Sequence, residues 1–130
     1  MKKRFKRPPR RLAEQFAYIR GHFCEPISVS ELARGAGVSS VQFIAMFRRF
    51  YGVSPKNYIT MRRLNLAKLL LSLSEYPAFH IANVCGYTNE FYFYRLFRRR
   101  FGMTPTAYRE KNKKAHSKAR ESKGETECLK

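Results

Sequence analysis

The chain has no aspartate, and nine glutamates are its whole acidic complement against 27 lysines and arginines, a formal charge of +18. That shortage argues against an enzyme. No paired carboxylates, no nucleophile with a base, no phosphate loop and no cluster of metal ligands emerge from the pattern. Cysteine is scarce too. Cys24, Cys85 and Cys128 form an odd, scattered set without C-x-x-C spacing, which favours neither a disulfide framework nor a zinc site. His22 and Cys24 lack the second ligand pair that a metal would need. No cofactor is implied. No apolar run approaches the roughly 20 residues of a membrane span, and the basic N-terminus lacks the apolar stretch of a secretory signal. Strict apolar–polar alternation is missing, which excludes strands. A cytoplasmic, all-α protein without a small-molecule pocket is the expectation.

What is present is a segment written nearly twice. Gly37-Val38-Ser39 leads to Phe47-Arg48-Arg49 and then to Tyr51-Gly52-Val53-Ser54-Pro55 and Tyr58. Gly86-Tyr87-Thr88 leads to Phe97-Arg98-Arg99 and then to Phe101-Gly102-Met103-Thr104-Pro105 and Tyr108. From Phe47 and Phe97 onward the copies keep an offset of fifty residues. A repeat in so short a chain means one structural unit used twice. Positive charge fills residues 1–11, which hold seven basic side chains and no acid, but residues 12–110 are basic in their own right, with thirteen against six. Such an excess favours a polyanion and salt-sensitive binding through counterion release.

Helix signals punctuate the chain. Leu12, Phe16, Ile19 and Phe23 recur at helical spacing over residues 12–23. Ser28 with Glu31 and Ser39 with Gln42 have the spacing of capping boxes, and Gly35 and Gly37 separate the two helices they open. A short helix, a glycine turn and a longer helix make a helix-turn-helix over about 28–51. Ser54-Pro55 opens a long helix to about Leu73, apolar around much of its circumference and expected to be buried on more than one side. Pro77 starts the second short helix, Gly86 turns the chain, and Thr88 is read as the cap of the second recognition helix, completing a unit over about 77–101. Thr104-Pro105 opens a last helix that fades beyond Arg109. Residues 1–11 and 111–130 read as disordered basic ends. The expectation is about seven helices in two helix-turn-helix subdomains joined by a long central helix.

These residues resemble the DNA-binding domain of the AraC/XylS family of bacterial transcription regulators. The likeness covers about residues 12–109. It rests on Gly37-Val38-Ser39, Phe47-Arg48 and Gly52-Val53-Ser54-Pro55, on Arg63-Leu64 and Leu70-Leu71 between them, and on Ile81-Ala82, Gly86-Tyr87, Tyr92-Phe93, Arg95, Phe97-Arg98 and Thr104-Pro105. One extra residue between turn and phenylalanine in the second copy is also a trait of the family. The resemblance implies two recognition helices entering successive major-groove segments of double-stranded DNA, about 34 Å apart. It also implies transcriptional activation through RNA polymerase as the commoner role.

Carried onto this chain, the family's reading positions in the first copy are Ser40, Val41, Ile44 and Ala45, with Gln42 as a nearby polar candidate. Val41, Ile44 and Ala45 cannot make bidentate hydrogen bonds, so the first copy is expected mainly to hold position. In the second copy Asn89, Glu90, Phe91, Tyr94 and Arg95 fall on or beside the reading positions. Glu90 suits cytosine N4, Arg95 suits guanine, and Phe91 suits a thymine methyl. Arg95 competes with a surface pairing to Glu90 or Glu75. Arg48, Arg49, Arg98, Arg99 and Arg100 suit phosphates or simply complement the ends of their helices. Ser39 and Thr88 are caps first and phosphate ligands second. Phe43, Phe47, Phe93 and Phe97 belong to the core. Arg63 is equally suited to DNA and to a structural pairing. The alternative to a sequence-specific regulator is a non-specific nucleic-acid-binding or ribosome-associated protein, favoured by the basic ends and the apolar first reading face.

Overall fold

The computed structural model describes residues 7–113. Among them are seven helices and no strand: α1 (Arg10–His22), α2 (Val29–Ala36), α3 (Ser40–Tyr51), α4 (Pro55–Leu73), α5 (Ala78–Val84), α6 (Glu90–Phe101) and α7 (105–113). The described residues divide into two compact units between Arg63 and Leu64, inside α4. No described helix is long and apolar enough to cross a membrane.

Each unit has its own core, and the two cores correspond position by position. Leu32, Ala33 and Ala36 of α2 are buried in the first; Ile81, Ala82 and Cys85, each 49 residues later, are buried in the second. Phe43 and Phe47 of α3 match Phe93 and Phe97 of α6, fifty residues on, and all four are fully buried. Leu12 and Ile19 of α1 match Leu64 and Leu71, so the C-terminal half of α4 does for the second unit what α1 does for the first. Tyr58 and Ile59, in the N-terminal half, belong to the first core. This explains the broad apolar surface of α4: it serves two different cores along its length.

The ring geometry repeats as well. Phe43–Phe47 and Phe93–Phe97 centroids are 5.9 and 5.8 Å apart, Phe47–Tyr51 and Phe97–Phe101 are 4.8 and 4.6 Å apart, and Phe47–Tyr58 and Phe97–Tyr108 are both 6.0 Å apart. One partner differs. In the first unit Phe16 stacks on Tyr51 at 3.9 Å and 6°. Its counterpart by the Leu12–Leu64 correspondence is Lys68, whose Nζ stands 4.7 Å from the Phe101 ring centroid. An aromatic stack is replaced by a cation–π contact.

Both helix-turn-helix turns are closed by the same backbone device. Gly37 N–H donates to Arg34 O at 3.0 Å and Val38 N–H to Ala33 O at 3.1 Å; Gly86 N–H donates to Asn83 O at 3.1 Å and Tyr87 N–H to Ala82 O at 2.9 Å. This is a Schellman motif, with the glycine in the left-handed region at φ 75° and 105°. At Gly37 a Cβ would in addition lie 2.5 Å from Arg11 Nη1 and push that side chain aside. Arg10 and Arg11, assigned to the arm by charge, are thus the first residues of α1; residues 1–6 lie outside the described part.

The capping expectations hold in part. Ser39 and Gln42 form a complete capping box. Ser28 Oγ accepts from Glu31 N–H at 3.4 Å, while its hydroxyl lies 2.8 Å from Ser30 Oγ, and the reciprocal half of that box is not formed. Ser54 Oγ and Thr104 Oγ1 accept from Asn57 and Ala107 N–H at 3.2 and 3.1 Å, opening α4 and α7 ahead of the buried Pro55 and Pro105. The last helix continues past Arg109 to residue 113, because Arg109 is anchored rather than fraying. Residues 114–130 of the expected tail lie outside the described part.

Two arginines fasten the helices. Arg63 Nε donates to Phe23 O at 2.5 Å and Nη2 to Glu25 O at 2.9 Å, which gives this residue a structural role at the end of α1. Arg109 does the same at the end of α4, donating to Leu71 O at 3.1 Å, Ser74 O at 3.1 Å and Tyr76 O at 2.6 Å. Charged donors satisfying carbonyls that a helix end leaves open contribute about 1.5–3 kcal/mol. Arg109→Ala should therefore lower the unfolding free energy of the second unit by about that much in urea denaturation. Lysine, lacking the planar fork, should restore less than half of the loss.

Candidate nucleic-acid interface

The burial of two phenylalanines one helical turn apart fixes how each recognition helix is rotated. With Phe43 and Phe47 inward, residues 41, 42, 45, 48 and 49 of α3 face solvent. With Phe93 and Phe97 inward, residues 91, 92, 95, 98 and 99 of α6 face solvent. Positions 40 and 44, like 90 and 94, are half-buried in both. The two helices have twelve residues each and start fifty residues apart, at Ser40 and Glu90.

This placement corrects the second cap. The N-cap of α6 is Asn89, whose Oδ1 accepts from Phe91 N–H at 2.9 Å and Tyr92 N–H at 3.1 Å. Thr88 is exposed in the turn one residue earlier. The fifty-residue register runs back through Ser39 and Asn89, so the extra residue of the second copy lies in the turn and leaves the helix unchanged. Thr88 imitates a cap in the sequence because its hydroxyl follows Gly-Tyr as Ser39 follows Gly-Val.

Capping also occupies two of the amide side chains expected to read bases. Gln42 Oε1 accepts from Ser39 N–H at 3.2 Å and from Ser39 Oγ at 3.4 Å. Reading adenine by a bidentate amide needs that oxygen and the NH2 together, so Gln42 cannot read and cap at once. Asn89 is committed in the same way. Ser39 Oγ is engaged by Gln42 N–H at 3.1 Å.

The remaining candidates separate by exposure. On α3, Val41 is 78% exposed, Ala45 is exposed, and Ile44 and Ser40 are half-buried. On α6, Phe91 is 66% exposed and meets Tyr94 edge-on, ring centroids 6.1 Å apart at 89°. Burial, and secondarily the Glu90 carboxylate, hold the Tyr94 phenol above its ordinary pKa, so it stays a neutral donor. Arg95 is exposed with its guanidinium 5.7 Å from the Tyr92 ring centroid. It makes no ion pair among the described residues; Glu75, one expected competitor, instead lies 3.9 Å from Lys113. Arg48, Arg49, Arg98, Arg99 and Arg100 are all exposed, with Arg49 and Arg100 beside the Phe50 and Phe101 rings at 5.8 and 5.7 Å. Tyr92 joins the face although the sequence pattern does not single it out. It is 39% exposed at the position equivalent to Gln42, and the fifty-residue register is the signal that identifies it.

The surface so formed is a pair of equivalent helix faces, each with an exposed apolar side chain on its first turn, Val41 or Phe91, and arginines further on. A helix-turn-helix domain model matches residues 32–111. The regulatory protein SoxS of Escherichia coli K12 is 35% identical over 100 residues, covering 77% of this chain and 94% of SoxS. The probable transcriptional regulator LumQ of Photobacterium leiognathi is 38% identical over 91 residues, 70% of this chain. That match takes in 37% of LumQ, so the chain spans about a third of this relative's length. Among solved structures, the DNA-binding domain of the transcriptional factor AdpA in complex with a target DNA is similar at a TM-score of 0.72 and 33% identity, covering 77% of this chain and 90% of that domain.

The two possible caps of α6 are distinguishable by stability. Asn89→Ala should cost about 1 kcal/mol, the typical loss for an N-cap, and Asn89→Ser should recover most of it. Thr88→Ala, away from any cap bond, should stay within about 0.5 kcal/mol. Urea midpoints at constant m-value measure all three.

Proposed function

The chain belongs to the AraC/XylS family of helix-turn-helix transcriptional regulators, and we propose that it binds double-stranded DNA sequence-specifically, setting α3 and α6 into successive segments of the major groove. The observation that carries this reading is the recurrence of one exposure pattern on two helices of equal length, fifty residues apart. A helix fits the major groove with its first turns toward the base edges. Here those turns present Val41 and Ala45 in one unit, and Phe91, Tyr92 and Arg95 in the other. The late arginines supply the electrostatic grip. The formal charge of +18 gives it long range.

The two helices divide the labour. Arg95 is the strongest base-reading residue, because its fork suits guanine O6 and N7 and no carboxylate competes for it among the described residues. The first turns of α3 hold no free bidentate group, its arginines coming later at 48 and 49, and they read by shape and apolar contact. Control of transcription by activation, with RNA polymerase as the protein partner, is the role favoured by the family resemblance. A cytoplasmic, nucleoid-associated location goes with it.

Selection of bound fragments from random duplexes at physiological salt, followed by footprinting, tests the reading. One motif protected over two adjacent major-groove segments is expected; no enrichment would instead favour a non-specific basic binder. On the selected duplex, Arg95→Ala should weaken binding by about 1–3 kcal/mol with little effect on a scrambled one. Arg98→Ala should weaken both alike and flatten the plot of log affinity against log salt by about 0.9 for each phosphate no longer neutralised.

A further inference from the structure

At one place in the repeat, two apolar side chains of the first unit are lysines in the second. Phe16 and Met61 pack against the first core. The Phe16 ring stacks on Tyr51 at 3.9 Å and 6°, and its centroid lies 5.1 Å from that of Tyr58. In the second unit Tyr51 and Tyr58 recur as Phe101 and Tyr108, but Lys68 takes the position of Phe16 and Lys111 that of Met61. A cleft of about 310 Å³ opens there, lined by Lys68, Phe101, Met103, Tyr108, Lys111 and Asn112, all within the second unit. That volume falls in the range of small-molecule sites, about 300–1,000 Å³. No such cleft is expected from the sequence, where each lysine is one basic residue among many. Its lining is divided. Phe101, Met103 and Tyr108 are half-buried and form an apolar wall. Against it stand two ammonium groups, neither in an ion pair among the described residues. Lys68 is half-buried, with its Nζ 4.7 Å from the Phe101 ring centroid. A half-buried cation that faces a ring and no carboxylate is short of a counter-charge.

We propose that this cleft binds a small aromatic carboxylate of the benzoate class, its ring in the place that Phe16 fills in the first unit and its carboxylate between Lys68 and Lys111. The inference goes beyond DNA binding and does not depend on it. The repeat supplies the geometry for the ring, since Phe101 and Tyr108 are the counterparts of the two rings that flank Phe16. To admit the ligand, the Lys68 ammonium leaves the Phe101 face for the carboxylate, which its flexible four-carbon stem permits. A charge-assisted pair then replaces a cation–π contact. An aliphatic acid has no flat face to set against the rings. A nucleobase would turn several donors and acceptors toward an apolar wall, with only Asn112 and the Tyr108 hydroxyl to answer them, so a nucleotide fits less well.

Binding is read directly at Met103 by NMR of the full chain with isotope-labelled methionine methyl groups. Benzoate should shift the Met103 signal saturably through its ring current and leave Met46 and Met61 of the first unit unmoved. In competition with benzoate at matched ionic strength, acetate, benzamide, inorganic phosphate and adenosine monophosphate should each bind at least about fivefold more weakly. Lys68→Phe, which restores the ring of the first unit, should fill the cleft and abolish the response. Lys111→Met should weaken binding about two- to fivefold, the scale of an exposed ion pair. Lys111 is exposed, so this second variant decides the matter if circular dichroism shows that Lys68→Phe does not fold. The absence of a saturable shift, equal binding of benzamide, a response that survives Lys68→Phe, or an affinity unchanged in Lys111→Met would each overturn the inference. Tighter binding of phosphate or adenosine monophosphate would also overturn it and make the lysines a phosphate site instead.

Discussion

Everything on the recognition surface depends on the burial of paired phenylalanines. Phe43 and Phe47, and Phe93 and Phe97, lie one turn apart and are fully enclosed. Each such ring contributes on the order of 1.5–3 kcal/mol by leaving water. More important here is what the pair does to rotation. Two anchors four residues apart leave a helix no freedom about its axis, so a particular stripe must face outward. The stripe is the same in both helices because the anchors are the same. Arginines at 48, 49, 98 and 99 are outward for that reason, with no need of polar partners to hold them there.

Around this shared constraint the two units differ where the core tolerates it. The α1 position taken by Phe16 is filled in α4 by Lys68, and a ring stack becomes a cation over the Phe101 face. Arg63 and Arg109 meet one need, donors for carbonyls at a helix end, from positions that do not correspond in the repeat. What the repeat keeps is geometry. Chemistry is kept where the geometry requires it, as at the left-handed glycines, and on the exposed face at the arginine pairs 48–49 and 98–99.

Much of the fold is legible in the sequence because it rests on local rules. Glycine with positive φ, proline after a hydroxyl and phenylalanine at helical spacing each have one cheap structural solution. The pattern misleads where two residues compete for one role. Thr88 and Asn89 are both acceptable caps, and spacing from the glycine favours the wrong one; spacing back from Phe93 favours the right one. Gln42 fits both a capping residue and a polar group near bases, and only the hydrogen-bond geometry shows that the first role uses the oxygen the second needs. Arg63 is evenly balanced between DNA and the fold in the sequence, because its partners are backbone carbonyls about forty residues away that leave no trace in side-chain pattern. The division of α4 between two cores is likewise hidden, since a broad apolar surface does not say which part faces which neighbour.

The capping commitments of Gln42 and Asn89 also shape how this protein can change. A side chain that both holds a helix and reads a base ties target preference to folding, so each step toward a new target risks the scaffold. On the proposed interface those tasks fall to different residues. Positions 41, 45, 91, 92 and 95 are exposed and outside the caps, and can drift at little cost to the fold. Retargeting, whether by natural divergence or by a designed library, has its open ground there, while 39, 42 and 89 form the fixed frame on which new preferences are tried.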